Sequence, residues 1–210
     1  MQTRLAGLVR QEPLTRPVRL IGGSDVAFNR RGDTCVAAIV VMTWPGLELV
    51  ESAELVRKVE FPYIPGLLSF RELPAIVEAA GRLKLCPDLL LVDGQGRAHP
   101  RRLGIASHLG LELDWPTIGC AKSRLVGEHR EPGPNRRCRT RLTQDGELIG
   151  YVVRTRTGVK PLYVSVGHRI ELDEAVRFVL AACRGYRLPE PARAAHHRVT
   201  LLRQHGDVDL

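Results

Sequence analysis

The chain has 210 residues, 44% of them hydrophobic, which is enough for one well-formed core and argues for one domain over residues 1–210. No apolar run approaches the roughly 20 residues that span a bilayer, and MQTRLAGLVRQEP lacks the apolar centre of a secretory signal, so a cytoplasmic protein is expected. The formal net charge of +8 favours a polyanionic partner, with nucleic acid first.

Residues 1–17 read as a short N-terminal arm or helix ended by Pro13 and Pro17. Next come β-branched, apolar runs on either side of Asn29-Arg30-Arg31-Gly32-Asp33, and a third run after Pro45-Gly46. That pattern predicts a three-strand antiparallel meander. Leu73, Ile76, Val77, Ala80 and Leu83 then recur at helical spacing. CPDLLLVDGQG reads as a short buried strand, RRLGIASHLGLELD as a helix and WPTIGCAKS as another strand. Strand, helix, strand predicts parallel pairing through a right-handed crossover. Residues 127–147 are polar and arginine-rich, either a surface excursion or a hairpin. Two more strands are expected around Thr157-Gly158, then a helix through Leu172, Val176, Val179, Leu180 and Cys183, and a basic C-terminal helix and tail from about 190 to 210. The expected fold class is α/β, a mixed sheet flanked by helices, with the element order of the ribonuclease-H-like architecture. The five cysteines form no C-x-x-C pair or metal-ligand spacing and read as reduced thiols.

Three carboxylates stand out by position. Asp25 lies within the first strand, in IGGSDVAF, Asp93 ends the buried strand LLLVDGQG, and Glu72 sits at the start of the first long helix. A carboxylate at the end of an apolar strand is costly without a partner, and a hard cation is one partner. Each also has a structural explanation. Asp93 can open an Asp-Gly turn, Asp25 can sit at a bulge, and Ser69 with Glu72 can form a capping box. A helix starting at Pro74 would instead leave Glu72 free. His168 follows the strand PLYVSVG, and Lys122 follows another strand end; either can be catalytic or a surface group.

Taken together, PYIPGLLSFRE, DLLLVDGQGRAHPRRLGIASHLG, PTIGCAKS and YVSVGHRI resemble the endonuclease V family, the deoxyinosine 3′ endonucleases. The resemblance runs from about Ile21 to about Val179. It implies a ribonuclease-H-like fold and a DNA-repair hydrolase that uses Mg²⁺, with Mn²⁺ able to substitute. The enzyme would act as a monomer on DNA containing deoxyinosine. It would cut the second phosphodiester bond 3′ to the lesion, leaving 3′-hydroxyl and 5′-phosphate ends. Carried over by motif, Asp25, Glu72 and Asp93 hold the metal, and Lys122 and His168 complete the catalytic set. Pro62, Tyr63, Ile64 and Pro65 form a wedge into the DNA. Gly66, Leu68, Gly94, Gly96, His99, Ile105, Gly119 and Ala121 line the base pocket. Gln95 departs from the family, which often has histidine there, and Cys120 replaces a commoner aliphatic residue.

A duplex enzyme that reads one altered base must take it out of the stack, at a cost of a few kcal/mol. Two prolines would hold Tyr63 stiffly enough to fill the gap. Arg124, Arg130, Arg136, Arg137, Arg139 and Arg141, with Arg193, His196, His197, Arg198 and Arg203, would track phosphates. Other classes remain open at this point: a ribonuclease-H-like nuclease acting on inosine-containing RNA or on branched or mismatched DNA, and a non-enzymatic inosine-binding module.

Overall fold

A computed structural model describes residues 1–62, 64 and 66–205. Tyr63 and Pro65 lie outside the described residues. In chain order the elements are α1 (Gln2–Ala6), β1 (Leu20–Phe28), β2 (Thr34–Thr43), β3 (Leu49–Lys58), α2 (Leu68–Ala80), β4 (Leu89–Val92) and α3 (Ile105–Leu113). They continue with β5 (Thr117–Ala121), β6 (Arg139–Gln144), β7 (Glu147–Val153), β8 (Leu162–His168), α4 (Leu172–Ala182) and α5 (Glu190–His205).

The strands form one sheet in the order β3-β2-β1-β4-β5-β8-β7-β6. β1, β2 and β3 make the antiparallel meander, and β4 joins β1 in parallel, followed by β5. This is the ribonuclease-H-like order expected from the sequence. β8 closes on β5 antiparallel, and β7 and β6 extend the sheet. The 127–147 segment therefore contributes a hairpin strand. Its turn is Asp145-Gly146, with φ of 53° and 79°, the doubly left-handed conformation that a two-residue hairpin needs.

Helices cover both faces of the sheet. Leu89 and Leu91 of β4 pack with Ile21, Ile118, Val164 and Val166 under α4 and α5. Leu90 and Val92 point the other way, into Ile39, Ile76, Ala79 and Leu109 under α2 and α3. Two-sided burial explains why β4 reads as a continuous apolar run instead of an alternating one. Cys35, Cys120 and Cys183 are buried, and all five cysteines are free thiols. No described helix is long and apolar enough to cross a membrane.

α2 starts at Leu68, close to where the helical spacing places it, with Pro74 inside it; the alternative start at Pro74 is not used. The proline forgoes one helical hydrogen bond on the solvent side, and the apolar face carried by Ala75, Ile76 and Ala79 outweighs that loss. The capping box does not form either. The N-cap is Leu67, and Ser69 is buried with its hydroxyl 3.2 Å from His108 Nδ1.

α5 lies directly on β1. Ala192, Ala195 and Val199 form its buried stripe. The contact is so close that a Cβ on Gly23 would fall 2.1 Å from the backbone carbonyl of Pro191. Gly23→Ala should therefore lift α5 from the sheet and cost about 1–3 kcal/mol, the usual range for overpacking a tight contact. Denaturant unfolding measures this, and an unchanged midpoint would show that the helix can shift freely.

Candidate active site

The parallel pairing of β1 and β4 builds the site. Ser24 is level with Val92, and Asp93 N–H donates to Ser24 O at 3.1 Å. Asp25 and Asp93, the next residue on each chain, are therefore neighbours at the carboxyl end of β4. Ligands of open α/β sheets collect at such strand ends. Lys122 follows β5 by one residue and its Nζ donates to Asp93 Oδ2. α2 brings Glu72 from the other face of the sheet. α5 brings His196, whose Nδ1 lies 2.7 Å from Asp25 Oδ2. A cleft of about 480 Å³ opens here, lined by Asp25, Phe28, Glu72, Asp93, Lys122, His196, Thr200 and Arg203.

The carboxylates are crowded. Burial pushes the Glu72 carboxyl up to about 8, and the nearby charges of Asp25 and Asp93 add to the rise. Asp25 is raised too, by burial first and then by Asp93, against the opposing pull of its His196 contact and Lys122. The site thus resists carrying all three carboxylates charged at once. Ligand atoms of Asp25, Asp93 and His196 all lie within 4.8 Å of one another. Two carboxylate oxygens and an imidazole, packed this closely, suit a divalent cation. Glu72 lines the same cleft but stands outside that tight group.

Other expected site residues lie elsewhere. His168 pairs with Thr117, at the start of β5, about 13 Å of strand away from Ala121 and Lys122. It is buried, its Nδ1 accepts the Arg10 N–H at 3.2 Å, and its Nε2 faces Asp114 Oδ1 at 3.5 Å. The strand that carries it runs antiparallel, so its end points away from the carboxylates. His196 takes the place beside them instead. The sequence carried a signal for it, since His196 follows Ala195 on the rim of the Ala192–Ala195–Val199 stripe. It passed for one more charge in a basic tail.

Of the wedge segment, Pro62 and Ile64 are exposed, while Tyr63 and Pro65 lie outside the described residues. Among the pocket residues, Leu68 is exposed, Gly66 and Gly94 are half-buried, and Gly96, His99, Ile105, Gly119 and Ala121 are buried. The glycines let protein meet protein. A Cβ on Gly119 would lie 2.3 Å from Gly96 N, one on Gly96 2.1 Å from Val166 O, and one on Gly94 2.4 Å from Ile105 Cγ2. The space at their Cβ positions is filled by the fold itself. Burial, with Arg101 and Arg102 nearby, lowers His99 to about 4, so its ring is neutral near pH 7.

The basic surface is partly committed. Arg139 pairs with Asp173 at 2.8 Å, Arg193 with Glu190 at 2.6 Å and Arg198 with Glu54 at 3.2 Å, while Arg136 donates to Leu180 O. Arg203 and His196 face the cleft.

The family model of endonuclease V matches residues 3–197. The chain belongs to the endonuclease V family. The endonuclease V of Gloeobacter violaceus is 55% identical over 192 residues, 89% of this chain and 77% of that protein. The endonuclease V structure from Streptomyces avermitilis superposes with a TM-score of 0.93 at 40% identity, covering 99% of this chain and 92% of that one. Endonuclease V of Ciona intestinalis, solved with a 23mer DNA containing an inosine followed by a ribo-adenosine, gives 0.86 at 27% identity, covering 97% and 94%. Membership makes this chain a DNA-repair nuclease that acts on deoxyinosine-containing DNA.

The charge crowding has a measurable consequence. The folded chain holds the Glu72 proton more tightly than the unfolded chain, its pKa raised from the ordinary carboxyl range to about 8. Without a divalent cation, that contribution to stability is full below the unfolded value and is lost as pH rises through the folded one. Glu72→Gln lacks this loss. Its melting temperature should gain on that of the unaltered protein between pH 5 and pH 8 in chelator. A constant difference would mean that Glu72 is not held neutral in the cluster.

Proposed function

We propose that this endonuclease V homologue nicks DNA at the second phosphodiester bond 3′ to deoxyinosine, using Mg²⁺ or Mn²⁺ held by Asp25, Asp93 and His196, with Glu72 beside them. The observation that carries this is the Asp25–Asp93–His196 group in an open cleft. A divalent cation there would polarise the scissile phosphate and lower the pKa of an attacking water. The chain's own groups supply the rest. Lys122 would exchange its ion pair with Asp93 for a contact to the scissile phosphate. His196, which meets Asp25 at 2.7 Å, would join that carboxylate in holding the ion. Glu72, with its raised pKa, would accept or hold a proton at the cleft wall. Arg203 and Thr200 extend the cleft along α5, where the flanking backbone would run.

The base would be read on the α3 side. Leu68 and Ile64 offer exposed apolar surface, and the Gly94, Gly96 and Gly119 packing with Ile105 and Ala121 gives a rigid floor. Hypoxanthine lacks an exocyclic amino group, so a tight pocket can reject adenine and guanine by giving that group no room or partner. His99, neutral near pH 7, offers a ring nitrogen without a charge. Gly66 completes the rim. Tyr63, between Pro62 and Pro65, would occupy the vacated stack and offset part of the unstacking cost. The protein would act as a cytoplasmic monomer. Inosine-containing RNA would be a second substrate only if its 2′-hydroxyls are accommodated.

An end-labelled duplex with one deoxyinosine tests the assignment. In Mg²⁺, one nick at the second 3′ bond is expected, absent with Asp93→Ala. His196→Ala should lose at least about tenfold, the low end for groups that orient metal ligands. His168→Ala should cut at a rate near that of the unaltered protein. A dead His168→Ala with full His196→Ala activity would reverse the assignment of the two histidines.

A further inference from the structure

The N-terminal arm has no part in the site above, yet it carries a buried polar side chain. Gln2, on the five-residue α1, is 6% exposed. Its Nε2 donates to Gly66 O at 3.0 Å, and its Oε1 accepts from Arg101 Nε. Arg101 also donates to Gly66 O, through NH2 at 2.9 Å. Three segments distant in sequence close a triangle around one carbonyl. Gly66 has φ 79°, and Leu67 N–H donates to Ile64 O at 2.9 Å, so that carbonyl belongs to a tight turn needing a left-handed residue. Arg101 belongs to the loop between β4 and α3 that also carries Gly94, Gly96 and His99.

The arm is itself fastened. Arg10 N–H donates to His168 Nδ1, Arg169 N–H donates to Arg10 O at 2.8 Å, and Leu14 N–H donates to Glu174 at 3.0 Å. Gln2 therefore reaches Gly66 from a fixed support.

We infer that Gln2 is a positioning residue that ties Gly66, at the foot of the proposed wedge, to the base-pocket loop, so that base extrusion and base reading occur in register. The inference rests on the wedge proposed above. The amide is suited to this because it must accept from a guanidinium and donate to a carbonyl at once. Glutamate could do only the first, and methionine neither.

Single-stranded inosine is already unstacked and needs little from a wedge, whereas duplex inosine needs all of it. Cleavage of both substrates by the full chain separates the roles. Gln2→Met and Gln2→Glu should each lower duplex kcat/KM about tenfold, equivalent to ~1.4 kcal/mol, and leave single-strand cleavage near normal. Tyr63→Ala should shift the same ratio. Equal losses on both substrates with the Gln2 variants would mean that Gln2 only supports the fold, and would overturn the inference. An unchanged ratio with the Gln2 variants beside a shifted one for Tyr63→Ala would overturn the coupling and keep the wedge. An unchanged ratio for Tyr63→Ala would overturn the wedge, and the inference with it.

Discussion

The approach of α5 to β1 at Gly23 is the constraint on which the site depends. Only a residue without a side chain lets the Pro191 backbone sit on the strand. From Pro191, five residues of helix advance about 7.5 Å, while two residues of strand from Gly23 advance about 6.7 Å. The two elements thus bring His196 and Asp25 to the same level, and their side chains meet at 2.7 Å. One more turn of α5 places Thr200 on the cleft wall, and the next brings Arg203. A close backbone contact in the core sets the geometry of an exposed cleft.

The site is assembled against electrostatic resistance. Asp25 and Asp93 stand side by side because β4 ends beside the parallel strand β1 there, and Glu72 faces them from the opposite layer. Lys122 and His196 offset part of the repulsion. The remainder appears as raised carboxyl pKa values at Asp25 and Glu72. A fold that served stability alone would separate these groups or pair each with an arginine. Elsewhere in this chain that is what happens: Glu147 receives Arg97 and Arg102, and Asp114 receives Arg10 and Arg169. The contrast marks the cleft as a place where carboxyl groups crowd without matching arginines, a cost that the proposed cation would offset.

The meander and the β4–α3–β5 unit were legible in the sequence because two-sided burial writes long apolar runs and turn residues punctuate them. Glu72, Asp93 and Lys122 stand near element ends and Asp25 lies inside β1, and their positions in the chain were enough to single them out as candidates. The placement of the histidines was not legible. His168 ends a strand, as Asp93 follows one, and only the antiparallel direction of β8 sends it to the far edge of the sheet. His196 is separated from Asp25 by 171 residues, and no local pattern links them. Pro74 left two helix starts open. Local propensity favours one at the proline, while packing of the α2 face on β2 and α3 selects the one at Leu68.

His168 still has a physical role, and it clarifies the architecture. A buried imidazole without charge accepts one hydrogen bond well, and Arg10 N–H supplies it. Burial lowers the His168 pKa, which keeps that acceptor free of a proton. The arm fixed there runs past α3 to Gln2, and Gln2 meets Gly66. The far edge of the sheet and the rim of the pocket are in this way joined by a segment that contributes nothing to the carboxylate cluster. Phe61 stacks with Phe70 at 6.0 Å, and Phe70 meets His108 edge-on at 4.7 Å, giving the same loop a second, apolar anchor. The proposed wedge would bear a reaction force on entering a base stack, and an anchor on α2 alone would pass that force to the helix that carries Glu72. The separate attachment of Gly66 through Gln2 would give it another route into the fold, away from the carboxylates.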